Sequence, residues 1–105
     1  MAQFSVHANP NARSKGEVPY LLDVQSDLMS LLATRVVVPL YRPEGARSQA
    51  LTRLTPEVRF QGMPLIAMVP EMAGIRGRDL GAAVGELASA RKEILQAIDL
   101  LLTGF

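Results

Sequence analysis

Phe4 and Val6 alternate with Gln3, Ser5 and His7, the period of a short strand with one buried face and with His7 on its solvated side. NPNARSKG, residues 9 to 16, gathers turn formers and reads as a loop. In PYLLDVQSD, Tyr20, Leu22 and Val24 share one face while Asp23 and Gln25 take the other, so a second, half-solvated strand is expected. SLLATRVVVPLY holds the densest β-branched run, Val36 to Val38, and predicts a central strand buried on both faces. That strand should end or meet an edge at Pro39, which has no ladder donor. RPEGARSQ is turn-rich, and EVRFQGMPLIAMV reads as two strands joined near Gln61 to Pro64, with Gly62 supplying a positive φ. Pro70 and the glycines at 74, 77 and 81 mark an irregular stretch.

The period then changes. Leu80, Val84, Leu87, Ile94, Ile98, Leu101 and Phe105 recur at steps of mostly three and four, and Leu95 and Leu102 widen the stripe. Glu86, Ser89, Lys92, Glu93, Gln96 and Asp99 fall mostly opposite, which predicts an amphipathic helix over about 83–102 with Gly104 as its C-cap. Arg91 lies within the apolar stripe, where its stem either snorkels or meets a partner's carboxylate. The chain thus reads as strands over about 2–76 followed by one helix. That is a mainly β, α+β fold: a small antiparallel barrel or sheet carrying a C-terminal amphipathic helix, one domain over 1–105. Phe105 is either tied down against the core or held out for a partner.

Composition sharpens this picture. Hydrophobic residues make up 49% of the 105, but aromatics only 5%, so the core is aliphatic. So much apolar content in so short a chain points to a homodimer that covers part of it. Eleven Lys and Arg against ten Asp and Glu leave a formal charge of +1, too balanced for a protein that lives on phosphate contacts. With no cysteine there is no disulfide, thiol chemistry or cysteine-ligated zinc. MAQFSVHANPNARSK has no apolar signal core, and no run approaches the roughly 18 apolar residues of a membrane span. A soluble, cytoplasmic protein is expected.

Candidate chemistry is thin. His7 is the single histidine and has no marked partner, so neither a metal site nor a general base is expected. Asp23 and Asp27 read as turn or capping residues at a strand end. GIRGRDLG, 74 to 81, lacks the Lys-Ser/Thr ending of a phosphate-binding loop, although Arg76 and Arg78 could greet an acidic partner. No nucleophile, base and orienting group assemble, which leaves a binding protein without catalytic residues or a cofactor.

The opening QFSV, the run LDVQSDL at 22–28, RVVVPLY, VPEMAGI and the terminal AIDLLLTGF, in that order across essentially the whole chain, resemble the CcdB toxins of bacterial toxin–antitoxin modules. LDVQSDL is quite specific; the stretch from about 8 to 17 departs from the family. The resemblance implies an SH3-like barrel with a C-terminal helix, forming a homodimer. It implies a toxin that binds the A subunit of DNA gyrase, trapping the cleaved gyrase–DNA complex, and that acts by binding and not as an enzyme. It further implies a CcdA-like antitoxin that neutralises the toxin, and DNA contact only through the antitoxin complex.

The family ends in a Trp-Gly-Ile form that matches Thr103, Gly104 and Phe105 by position. The resemblance therefore marks Leu102, Thr103, Gly104 and Phe105 as gyrase-binding. Thr103 cannot stack as a Trp does, and losing such an aromatic commonly costs about 2–4 kcal/mol, so a non-toxic homologue that keeps dimer and antitoxin binding stays open. So does an endoribonuclease of the MazF and Kid type, for which His7, Glu57, Arg59 and Arg76 would be the material.

Overall fold

The computed structural model describes residues 2–46 and 53–104. Its strands are β1 (Ser5–Ala8), β2 (Tyr20–Asp23), β3 (Thr34–Tyr41), β4 (Glu57–Phe60), β5 (Met63–Ala67), β6 (Ala73–Arg76) and β7 (Ala83–Glu86). They form one antiparallel sheet in the order β4-β5-β3-β2-β1-β7, with β6 paired to β3. The sheet curls into a half-barrel, and the C-terminal helix α2 (Arg91–Thr103) docks on it. A single helical turn, α1 (Pro43–Ala46), follows β3; the rest of the turn-rich segment lies outside the described residues. The mainly β fold expected from the sequence is the fold observed.

Alternation does build the core face. Phe4, Val6, Leu22, Val24, Val38, Leu40, Val58, Phe60 and Leu65 form one cluster with Leu87, Ile94 and Ala97. The hairpin between β4 and β5 turns on Gln61 and Gly62, both with positive φ (53° and 79°), the primed turn that matches strand twist.

The strand through Val36 to Val38 does not end at Pro39. Ladder bonds turn to each neighbour at alternate residues, and Val24 N–H bonds Val36 C=O, so the even positions of β3 face β2. The nitrogen of Pro39 therefore points to the other side. There β3 exchanges partners, pairing with β6 up to Val37 and with β5 from Leu40. The missing donor falls at that seam, and Pro39 C=O still accepts Met68 N–H at 3.0 Å.

The second face of the sheet departs from expectation. His7, Asp23 and Gln25, read as solvated, are buried. Nδ1 of His7 donates to Gly81 C=O at 2.6 Å, and Nε2 meets the Ser5 hydroxyl at 2.7 Å. A polar face can be buried where partners from distant sequence satisfy it.

The helix also begins later than the stripe predicts. Residues 83–86 are β7, residues Ala88–Ala90 a single 3-10 turn, and α2 starts at Arg91. Gly81 and Gly85 weaken a helix here, and β1 offers a ladder, Ser5 to Glu86 and Val6 to Gly85, with a bulge before His7. Gly85 also sits under the Phe60 ring: an added Cβ would lie 2.5 Å from it. Phe60 in turn meets Tyr20 edge-on at 5.0 Å. Arg91 is exposed, with its guanidinium 5.7 Å from the Phe4 ring centre and bonded to Gln3 Oε1 at 3.1 Å. It caps the core ring as a cation over a π face.

At the far end of β3, the Tyr41 hydroxyl donates to Glu71 at 2.5 Å. That bond, then burial, then the Glu71 charge push the Tyr41 hydroxyl up to about 12 from 10.0.

Two outcomes are expected. Gly85→Ala should lower the urea midpoint by an amount equivalent to about 1–3 kcal/mol, the usual cost of overpacking, and Gly85→Val by more. Because folding raises the Tyr41 value, the stability it lends is present below pH 10 and is lost as pH rises towards about 12. Absorbance titration of the Tyr20→Phe variant should place the Tyr41 midpoint near 12, and Glu71→Gln should lower it.

Candidate partner-binding site

α2 carries Ile94 and Ala97 into the core and rests Leu95 and Ile98 on it. Its last turn has no such cover. Leu101 and Leu102 are exposed by 37% and 67%, unusual for adjacent large aliphatics on a helix that buries its other apolar face. Gly104 then takes the left-handed conformation (φ 81°, ψ 12°), and its N–H closes on Leu100 C=O at 2.9 Å. This cap is the one the sequence predicts, and it turns the chain off the helix axis at a fixed angle.

Of the four residues marked at this end, Leu102, Thr103 and Gly104 are exposed on one helix terminus. The structure brings these three together; Phe105 lies outside the described residues. Thr103 does not project. Its hydroxyl donates back to Asp99 C=O at 2.6 Å, so its polar group is used within the helix.

A second exposed surface escapes the sequence reading. From Asp27 to Thr34 every residue is exposed, including Leu28 (89%), Met29 (50%), Leu31 (98%) and Leu32 (55%). The segment is short and polar at its root, and LDVQSDL is that root. Asp23 Oδ2 accepts from Arg35 Nε at 2.8 Å, with Nη2 also 2.8 Å away, and both residues are buried. Asp23 Oδ1 takes Gln25 N–H at 3.0 Å, Gln25 Oε1 takes Val36 N–H at 3.0 Å, and Gln25 Nε2 donates to Met29 C=O at 2.9 Å. Ser26 caps the Asp27–Met29 turn by accepting Leu28 N–H, and Asp27 Oδ1 accepts Gln3 N–H at 2.8 Å. Every polar side chain of the run is thus hydrogen-bonded, and those of Gln25 and Ser26 reach the apolar segment itself.

The sequence signal for this surface was the spacing in SDLMSLL, where apolar pairs follow polar turn formers and fit neither a strand nor a helix period. Arg35 went unread as well, although an arginine inside a run read as buried on both faces calls for a carboxylate, and Asp23 stands on the adjacent strand.

The acid–base candidates are not gathered. His7 is enclosed in β1 with both ring nitrogens engaged. Glu57 and Arg59 stand on β4, at the opposite end of the sheet order, and Arg59 donates to Gly62 C=O at 3.0 Å. Among the described residues no cluster of His, Asp and Glu could hold a metal ion, and no helix is long and apolar enough to cross a membrane. The arrangement suits contact between surfaces.

A family model described as CcdB protein matches residues 3–104. No curated protein matches the chain.

Asp23→Ala should cost about 3–5 kcal/mol in urea unfolding, the penalty for leaving a buried charge without its partner. Asp23→Leu combined with Arg35→Met should recover much of that loss. An Asp23→Ala variant as stable as the parent would show that the pair does not anchor this face.

Proposed function

We propose that this chain, which belongs to the CcdB family of toxin–antitoxin toxins acting on gyrase, binds the A subunit of DNA gyrase through the end of α2 and traps the cleaved gyrase–DNA complex. The observation that carries this reading is the exposed, capped helix end. Leu101 and Leu102 offer apolar area, and Gly104 fixes the direction in which the chain leaves them. A contact surface held rigidly before binding loses little ordering entropy on association. Such a toxin acts by binding and needs no catalytic residue, metal or cofactor. The gyrase-contacting set on this reading is Leu102, Thr103, Gly104 and Phe105.

The same reading includes a cytoplasmic homodimer, a CcdA-like antitoxin that frees gyrase, and DNA contact only through the antitoxin complex. The projecting side chains of Leu28, Met29, Leu31 and Leu32 support the dimer, since patches of that kind are usually covered by another chain. A second reading has one observation in its favour: Thr103, turned back onto Asp99, supplies no aromatic anchor at the family's Trp position. On that reading the chain keeps dimer and antitoxin binding and does not poison gyrase.

Calorimetric titration into the breakage–reunion domain of the host's gyrase tests both. The full chain should bind. Leu102→Ala should weaken binding by about tenfold or more, and removal of Gly104 and Phe105 should abolish it with an unchanged circular dichroism spectrum. Absence of binding by the full chain would overturn the gyrase reading. Binding without growth arrest on expression would select the second.

A further inference from the structure

Among the described residues β6 is an open edge. There it pairs with β3 alone, in the register Thr34–Arg76, Arg35–Ile75, Val36–Gly74 and Val37–Ala73. Gly77 N–H bonds Ala33 C=O at 2.8 Å, which sets the phase of the ladder. Ala73, Ile75 and Gly77 turn their backbone groups towards β3, so Gly74 and Arg76 turn theirs outwards. Ala73, Gly74 and Arg76 are exposed. A Cβ built on Gly74 would meet nothing within 4 Å, so the face of the sheet beside that residue is open. Native sheets usually blunt such an edge with a bulge, a proline, a covering element or a charged side chain; on β6 the charge of Arg76 is of that last kind.

Charge selects what would pair here. Arg76 and Arg78 are exposed, and among the described residues no carboxylate lies within ion-pair reach of either. With Ala33 and Thr34 they line a cavity of about 520 Å³ at the end of the strand. Two uncompensated arginines at the end of an unpaired ladder match carboxylates carried on an extended backbone. A nucleic acid would use the arginines but not the outward amides, and the net charge of +1 provides little further attraction for it.

We infer that the free edge of β6, with Arg76 and Arg78, is a docking site for an acidic, extended peptide segment that adds to the sheet as a strand. The outward N–H and C=O of Gly74 and Arg76 supply the ladder, and the arginines fix the direction of the peptide by placing its carboxylates in the cavity. The site is on β6, whereas the gyrase reading rests on α2, so the two stand or fall separately.

The test is fluorescence anisotropy with a short labelled peptide alternating valine and glutamate, at low ionic strength, with the full chain. Salt-sensitive binding is expected. It should fall by about tenfold or more for the valine–glutamine counterpart and for the Arg76→Gln/Arg78→Gln variant. A backbone N-methylated version of the acidic peptide should fall likewise, because it keeps the charges and loses the ladder donors. No binding of the acidic peptide, undiminished binding of the N-methylated one, or a single-stranded oligonucleotide that binds tighter than the peptide would each overturn the proposal. The double variant should bind the gyrase domain as the parent does.

Discussion

The buried pair of Asp23 and Arg35 is the constraint on which the rest of this sheet depends. Each charge is costly to remove from water unless the other is in place with its remaining hydrogen bonds made. Here the carboxylate also holds Gln25 N–H and the guanidinium reaches Gln25 C=O. Side chains in a strand alternate between faces, so a slip of one residue between β2 and β3 would turn Asp23 into the apolar core. The pair therefore fixes the register of the two central strands. From that register follow the face of Val38 and Leu40, the seam at Pro39 and the place where β6 can attach.

What was legible in the sequence follows from what alternation can report. It reports polarity. On the core face polarity and burial coincide, so Phe4, Val6, Leu22 and Val24 could be placed from spacing alone. On the other face they part company: Ser5, His7, Asp23 and Gln25 are polar and buried, because their partners come from Arg35, Gly81 and Val36. Nothing local announces those partners. Helix limits divide in the same way. The end at Gly104 depends on one residue's backbone freedom and could be read. The start depended on β1 needing an outer strand, and the spacing of Leu80, Val84 and Leu87 fits a helix stripe just as well.

The surfaces open to a partner repeat the lesson. Spacing marks Leu28, Met29, Leu101 and Leu102 as apolar, but exposure belongs to the folded object. The two surfaces are also attached to the fold by different means. The segment after Ser26 is held by a polar network rooted in β2 and β3, whereas the helix end is fixed by burial of Ile94 and Ala97 and by its glycine cap. Both are set before any partner arrives.

The pairing of β1 with β7 has a consequence for the order in which the protein is made. The first strand of the chain cannot gain its outer neighbour until Ala83–Glu86 has been synthesised. Phe4, whose C=O accepts Leu87 N–H, and which lies beneath Arg91, waits longer still. Contacts this distant in sequence close late and slow folding. On the ribosome the half-barrel thus stays unfinished along one side until β7 has emerged. The last turn of α2, with its exposed leucines, lies beyond β7 in the chain and emerges after it. Of the two exposed apolar surfaces, the one at the end of α2 is therefore the later to leave the ribosome.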